Sequence, residues 1–382
     1  MKGILLNMDN RVQQLASNLL NHSIKLKAGE KILIEMLGTD CVDLATELIS
    51  QSKEIGAIPL FNIIDYKVLK ELLINCTEEQ ISIYAKHDLA KMQDVDAYIG
   101  IRSQSIKDLD GISSKCMEIY NRLYQTPVHF NERKKNTKWC ILRYPNEQMA
   151  QMAKMSLENF TDFYYDVCTM NYGKMEKAME PLKTLLNNTD KVHIIGPGTD
   201  LEFSVKGIPA EKYYGTFNIP DGEVASCPTK YSANGYITYN TETTYNGVTF
   251  KKIYFELKDG KIIKAEAGDK TKELNEILDT DEGARYIGEF ALGINPYIKN
   301  VMGDTLFDEK ICGSFHLTPG NALEESDNGN RSSIHWDIVC IQTPEYGGGE
   351  IYFDDVLVRK DGKFILPELM QLNPEMLKNN DM

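Results

Sequence analysis

The sequence predicts an α/β protein in two parts. Residues 1–188 form an N-terminal domain on a doubly covered parallel sheet, and residues 189–382 a β-rich α+β domain. Three observations carry this. The chain has 382 residues, more than one ordinary core accommodates. Its first half alternates short Ile/Val/Leu-rich runs with amphipathic ones, the mark of βαβ units. Its second half turns to β-type runs joined by Asp-Gly pairs.

In order, "MDNRVQQLASNLLNHSI" (8–24) sets Val12, Leu15, Leu19 and Leu20 at helical spacing. "AGEKILIEM" reads as a strand entered through a glycine turn. "CVDLATELISQSKEIG" is a helix stopped by Gly56, and "AIPLFNII" a second strand. "DYKVLKELLI" and "TEEQISIYAKHDLAKM" are helical, "DAYIGIR" is the third strand, a helix follows near 112–125, and "KWCILRYP" is the fourth strand. From about 145 to 187 the chain is helical and Met-rich. The boundary falls near 187–191. Beyond it, "LEFSVKG", "GYITYNTETTY", "VTFKKIYFELKDGKIIKAEAG" and "IYFDDVLVRKDGKFI" are β-rich, with hairpin turns at Asp259–Gly260 and Asp361–Gly362. "GPGTD" (196–200) lacks GxGxxG spacing and leads into a strand, so it reads as a turn and not a phosphate loop.

The formal net charge of −14 argues against nucleic acid and against anionic membrane surfaces as partners. The apolar run "GILLNM" (3–8) is too short for a signal peptide core or a membrane span, which leads to an expectation of cytoplasmic residence. Eight cysteines are scattered without any CxxC spacing and read as reduced, mostly buried thiols. Cys312 and Cys340 lie close to the segments discussed next, so a thiol ligand stays open. With only six histidines, any clustering of them is informative.

Four segments of the second domain hold carboxylates or imidazoles in turn or apolar context. "NIPDGEVASCP" holds Asp221 and Glu223; "ARYIGEFALGIN" holds Glu289; "LFDEKICGSFHLTPGNALEE" holds Asp308, Glu309 and His316; "SSIHWDIVC" holds His335 and Asp337. Each has a plain structural explanation. Glu223 could cap a turn, Glu289 face water from an amphipathic helix, Glu309 be a solvated charge, and His316 be a satisfied core histidine. On a strand, His335 and Asp337 would share a face, as a hydrogen-bonded pair or as two metal ligands. Taken together, buried carboxylates need a positive partner, and these apolar runs supply few lysines or arginines. Two divalent cations would balance Glu223, Glu289, Glu309 and Asp337, with one carboxylate bridging. That donor set suits zinc, cobalt or manganese in hydrolytic centres whose ions lie about 3.5–4 Å apart.

The same motifs, in the same order, resemble the aminopeptidase T family of metallo-aminopeptidases over almost the whole chain. "NIPDGEV" is similar to its Asn-x-Pro-x-Gly-Glu motif and follows "TDLEFSVKG". "ARYIGEFALGIN" is similar to its Gly-Glu-x-Ala segment, "DTLFDEKICGSFHLTPG" to its Leu-x-Asp-Glu stretch followed by histidine, and "IHWDIV" to its His-x-Asp segment. "LRYPNEQMAQMAKMSLENFTDFYYDVC" resembles the segment joining the family's two domains. The resemblance implies a homodimeric exopeptidase acting on peptide substrates. It implies two divalent ions (zinc, cobalt, manganese or magnesium) in a C-terminal metal-binding catalytic domain, 189–382. The ligands it implies are Glu223, Glu289, His316, His335 and Asp337, with Glu289 bridging. Glu309 is a less certain match, as a further ligand, the general base or an anchor for the substrate amine.

One position departs from the family: a tyrosine seven residues after the first histidine is here Leu323. A leucine neither ligates metal nor hydrogen-bonds a tetrahedral intermediate. Two other readings follow. Some relatives of this fold resemble mononuclear iron dioxygenases that open hydroxylated pyridine rings, and Glu223, His335 and Asp337 have facial-triad composition. The chain could also be a catalytically inactive metal- or peptide-binding member. Retention of Glu289 and His316 favours the dinuclear hydrolase.

Overall fold

The computed structural model describes residues 9–104 and 106–378; the apolar run 3–8 lies outside them. The chain forms two compact units, interleaved in sequence. The first draws on residues up to Glu147, Leu157–Thr169 and Gly215–Ile219, and the second on Gln148–Ser156, Met170–Tyr214 and the chain from Pro220 onward. Helix Tyr172–Asn188, just before the boundary drawn from sequence, groups with the second unit.

The first unit is built on five parallel strands in the order β2-β1-β3-β4-β8: β1 (Lys31–Leu37), β2 (Ile58–Ile64), β3 (Ala97–Arg102), β4 (Lys138–Arg143) and the short β8 (Asn218–Ile219). Central positions such as Ile32, Ile34, Ile99, Ile101 and Leu142 are fully buried, as helix-covered parallel strands require. Strand β2 is an edge of this sheet, and Ile58, Phe61 and Ile63 are each at least half exposed. Ile58 donates its N–H to Glu30, on the β1 side. Alternation then turns the donor-less nitrogen of Pro59 toward the open edge, which blunts that edge.

Local signals delimit the helices. Gly56 at φ +86° ends Val42–Ile55, the Asp65 carboxylate caps Tyr66–Leu73, and the Thr77 hydroxyl caps Glu78–Gln93. The helix expected near 112–125 starts at Ser114 under a Ser113 cap and runs on as wide π-type turns through Arg133. Pro127 inside it lacks the N–H that regular α-turns would use.

The second unit holds two antiparallel sheets and a hairpin. Eight strands pair in the order β14-β13-β10-β6-β5-β18-β19-β20: β5 (Lys191–Gly196), β6 (Thr199–Ser204), β10 (Asn234–Thr238), β13 (Tyr254–Lys258), β14 (Lys261–Glu266), β18 (Glu350–Phe353), β19 (Val356–Lys360) and β20 (Lys363–Phe364). Both Asp-Gly pairs form the expected hairpin turns, with φ near +49° at Asp259 and Asp361 and +79° at Gly260 and Gly362. "GPGTD" is the tight turn joining β5 to β6. The separate hairpin comprises β11 (Thr243–Tyr245) and β12 (Val248–Phe250).

Five further strands pair in the order β17-β16-β15-β9-β7: β7 (Glu211–Tyr213), β9 (Glu223–Ser226), β15 (Ile287–Gly293), β16 (Ser314–Pro319) and β17 (Ile338–Ile341). One face of this sheet carries Phe290, Leu292, Phe315 and Leu317, all buried. Phe290 meets Phe203 of β6 edge-to-face at 5.1 Å, so apolar burial joins the two sheets there. The other face carries the polar residues. Among the described residues no helix is long and apolar enough to cross a membrane. All eight cysteines are free thiols, seven of them buried.

Candidate metal centre

Strand register collects the candidate residues. Glu223 on β9 pairs with Gly293 of β15 and with Tyr213 of β7. On β15, Glu289 lies two and four residues before Ala291 and Gly293, and pairs with Thr318 of β16; His316 pairs with Ala291. Paired residues and residues two apart share a face, so Tyr213, Glu223, Glu289, His316 and Thr318 all stand on the non-core side. Glu289 is thus a strand residue aimed inward, not part of a solvent-facing helix, and it is 4% exposed.

The His335–Asp337 segment arrives differently from the expectation. Regular strand begins only at Ile338, and His335 makes a single bridge to Gly320. The two side chains nevertheless meet: His335 Nε2 lies 3.2 Å from Asp337 Oδ1 and 3.2 Å from Glu289 Oε2. His335 Nδ1 is 2.8 Å from the Asn321 carbonyl oxygen, so it carries the proton and leaves Nε2 toward the carboxylates. Thr318 donates its hydroxyl to Asp337 Oδ1 at 2.7 Å. His316 Nε2 lies 3.6 Å from Glu289 Oε1, and its Nδ1 lies 3.8 Å from Glu223 Oε2. One donor atom from each of Glu289, His316 and Asp337 falls within 4.8 Å of the other two.

Beside this cluster stands a cation absent from the sequence-based account. Lys310, 2% exposed, places its ammonium 2.5 Å from Glu223 Oε1, 2.6 Å from Glu309 Oε1 and 3.6 Å from Asp221 Oδ1. These segments were expected to supply few basic partners, and Lys310 is one of those few, standing at the carboxylates themselves. Lys310 follows Glu309 directly, and what looks like a solvated "DEK" run bends inward after the short helix Thr305–Asp308. Asp308 takes no part: its carboxylate accepts N–H groups of Met302 and Gly303 at 2.5 and 3.0 Å and closes that loop. Cys340 pairs with Phe315, which puts its thiol on the opposite face from His316, and no cysteine belongs to the Glu289–His316–Asp337 group.

The electrostatics follow from crowding negative charge in a dry place. Burial alone would depress both imidazolium groups, but neighbouring carboxylates outweigh it. Glu289, Glu223 and Asp337 raise His316 to about 9, and Asp337 and Glu289 raise His335 to about 12. Burial would raise Asp337 and Glu289 as well, yet the imidazoles hold both carboxyls below their ordinary values. Glu223 is pushed up to about 7 by burial, against the pull of Lys310 and His316, and burial drives Glu309 up too. Without an ion, then, protons on the two imidazoles and the Lys310 ammonium answer the carboxylates.

The donor set fits a divalent metal. Two buried atoms at its centre, Glu223 Oε2 and His316 Nδ1, have no hydrogen-bond partner. Such atoms are costly unless something binds them. Donors ligated to one ion at about 2.1 Å lie roughly 3–4 Å apart, compatible with the spacing found here. Mixed imidazole and carboxylate donors are those of zinc, cobalt and manganese sites.

Residues 8–364 match the profile of the thermophilic metalloprotease family (M29). Aminopeptidase PepS of Streptococcus thermophilus is 21% identical over 389 aligned positions, covering 88% of this chain and 93% of that one. Among solved structures, wild-type AmpT from Thermus thermophilus superposes with a TM-score of 0.77 at 20% identity, covering 94% of this chain and 99% of the other. The 2,5-dihydroxypyridine dioxygenase of Pseudomonas putida KT2440 gives 0.61 at 13% identity, with 94% and 98% covered. At these identities the structural likenesses establish the fold: a mixed α/β arrangement with one parallel and several antiparallel sheets.

Proposed function

Since the chain belongs to the thermophilic metalloprotease (M29) family, a family of peptide-hydrolysing aminopeptidases, we propose that it releases amino acids from peptide N-termini at the Glu289–His316–Asp337 cluster. The observation that carries this is the paired orphans Glu223 Oε2 and His316 Nδ1, buried 3.8 Å apart, neither with a hydrogen-bond partner.

Glu223, Glu289, His316, His335 and Asp337 would hold the ions, with Glu289 central because its two oxygens face different imidazoles. Bound divalent ions (zinc, cobalt, manganese or magnesium) supply Lewis acidity for a peptide carbonyl and lower the pKa of a bound water toward roughly 7. The chain's own groups do the rest. Asn321 sets the His335 tautomer and Thr318 orients Asp337, so that ligand geometry exists before substrate arrives. Glu309, partly exposed at the edge of the cluster, would either move a proton from water to the leaving amine or hold the substrate's ammonium. An acidic anchor for a free amine would confine cleavage to the N-terminal residue. A homodimer, cytoplasmic residence, a preference for leucine-like residues, and a catalytic domain over 189–382 belong to the same proposal.

The test is metal content by mass spectrometry after reconstitution and desalting, with leucine-p-nitroanilide turnover on the same sample and Glu289→Gln alongside. Metal retained by the parent, with turnover lost in the variant, supports the aminopeptidase. One iron per chain with oxygen-dependent ring opening of a hydroxylated pyridine would replace it by the dioxygenase reading. Metal without turnover on any aminoacyl substrate would replace it by an inactive binding protein. A parent that retains no metal sinks both enzyme readings and the metal-binding one.

A further inference from the structure

We infer that Lys310 is a built-in cation of this centre: its ammonium occupies the acidic half made by Glu223 and Glu309, so that a second divalent ion enters only in competition with it. The inference rests on the metal-centre reading above and refines its stoichiometry.

The geometry divides the cluster in two. On one side Glu289, His316, His335 and Asp337 contact each other and contain no basic side chain other than the imidazoles, which lose their protons when they ligate. On the other, Lys310 takes one oxygen from Glu223 and one from Glu309, with Asp221 nearby. A second ion that took Glu223 or Glu309 as a ligand would share that carboxylate with the ammonium. The ammonium is also sealed in: the Lys310 side chain is 3% exposed, beside Glu223 at 6%. It packs 5.9 Å from the centre of the Tyr213 ring. A cation so enclosed cannot simply swing into water when another arrives. Glu223 is shared between the halves, Oε1 with Lys310 and Oε2 unpartnered, so Lys310 positions Glu223 with its free oxygen toward the first ion.

Charge bookkeeping gives the same division. Asp221, Glu223, Glu289, Glu309 and Asp337 contribute five carboxyl groups, and one ammonium, Lys310, stands among them. The first divalent ion meets carboxylates with no ammonium between them, and the second meets a like charge within about 4 Å. Such proximity opposes a cation by tenfold or more in affinity, on the order of one or more pKa units in the equivalent proton equilibrium.

The experiment is equilibrium dialysis of metal-stripped protein against a zinc series, with bound zinc counted per chain, for the parent, Lys310→Met and Lys310→Arg. The parent should fill in two steps, the second weaker by roughly tenfold or more. Lys310→Met should tighten the second step by about tenfold while the first moves less than about threefold. Lys310→Arg, which keeps the charge, should behave as the parent. Should Lys310→Met fail to fold without metal, Lys310→Gln takes its place, since its amide can still donate to Glu223. Equal affinity for both ions in the parent, or an unmoved second step in the neutral variant, overturns the inference and leaves the metal centre standing. Absence of bound zinc from all three proteins removes the centre itself.

Discussion

Each unit of the molecule buries a polar cluster, and the two are balanced in opposite ways. In the first unit one carboxylate, Glu35, accepts from the Tyr98 hydroxyl at 2.7 Å and from the Asn62 amide at 3.3 Å, so both oxygens are used. The buried cation there, Arg133, lies over Trp139 at 4.5 Å and over Tyr98 at 5.3 Å, taking its partners from aromatic faces. Arg102 acts on the same groups and Asp88 accepts from Tyr124 at 2.8 Å, so opposite charges are matched there, beside the phenols of Tyr84, Tyr120 and Tyr124 stacked at 5.0 Å. In the second unit five carboxylates meet one lysine and two imidazoles, and buried Glu223 Oε2 and His316 Nδ1 are left over. Burial of charge is common to both, and Arg133 too leaves buried Nε and Nη1 without a hydrogen-bond partner. The excess of carboxylates belongs to one, and a surplus of buried negative charge is what a cation from outside would answer.

Glu289→Gln strikes the unbalanced cluster hardest. It keeps the shape and removes the charge that both imidazoles face, so kcat/KM should fall by roughly 10³-fold or more, with loss of bound metal. Glu35→Gln, the same change in the balanced cluster, should leave metal content and kcat/KM within about twofold and cost stability alone, about 1–3 kcal/mol for a disturbed buried hydrogen bond. Peptidase assays, metal counts and denaturant titration on both variants settle it. Equal effects on activity would dissolve the contrast.

Metal removal is next in size. Ions at 100 to 1,000 times their Kd stabilise the folded state by about 2.7–4.1 kcal/mol through linkage. Hydrogen exchange with and without chelator should show the change in β9, β15, β16 and β17, and little in β1, β3 and β4. Uniform loss of protection would mean that the ion stabilises something other than this sheet.

These contrasts were only partly legible in the sequence. Periodicity gave away β1, β3 and β4 because helix-covered parallel strands are apolar throughout, and Asp-Gly pairs gave away two hairpins because few other residues accept positive φ. The edge position of β2 was hidden, since "AIPLFNII" is as apolar as a central strand and only Pro59 hinted otherwise. Glu223, Glu289, Glu309, His316, His335 and Asp337 could be proposed together because charged residues inside apolar runs demand a partner, and the family resemblance narrowed the ligands to five. Lys310 was missed because a lysine after two acids looks like solvated surface, and whether the chain turns inward after Asp308 depends on contacts far away in sequence. Thr318 carried a usable signal: it lies two residues beyond His316 on one strand and so had to share its face.

The balanced cluster has its own, smaller test in pH. His129 packs edge-on to Tyr98 at 6.1 Å, and burial together with nearby Arg133 lowers it to about 3. Its folded value lies below the unfolded one, so its contribution to stability is complete above roughly pH 6.5 and is lost as pH falls toward 3. The loss should approach about 1 kcal/mol per pH unit, short of the full 1.4 because the ring is partly exposed. Urea titrations between pH 7 and 5 on the parent and on His129→Phe should differ by this slope. Parallel curves would show that the imidazole is free to protonate in the folded chain.

Leu323→Tyr carries the smallest expected effect and isolates shape from charge, because it adds a hydroxyl without adding a carboxylate or an ammonium. Leu323 is partly buried in the turn after Asn321, the residue whose carbonyl holds His335, and its own carbonyl accepts from Ser326 N–H at 3.3 Å. A well-placed donor to a developing oxyanion is worth roughly 10²–10³ in rate. A phenol set into a turn shaped around leucine should recover only a fraction, about three- to tenfold in kcat, with KM and metal content unchanged. A gain in kcat alone would mean that the charged cluster is complete and that only a neutral donor is lacking. No gain, with the parent already active, would mean that a group elsewhere on the same sheet face supplies that donor. Tyr213, which shares that face with Glu223, is then the first residue to change.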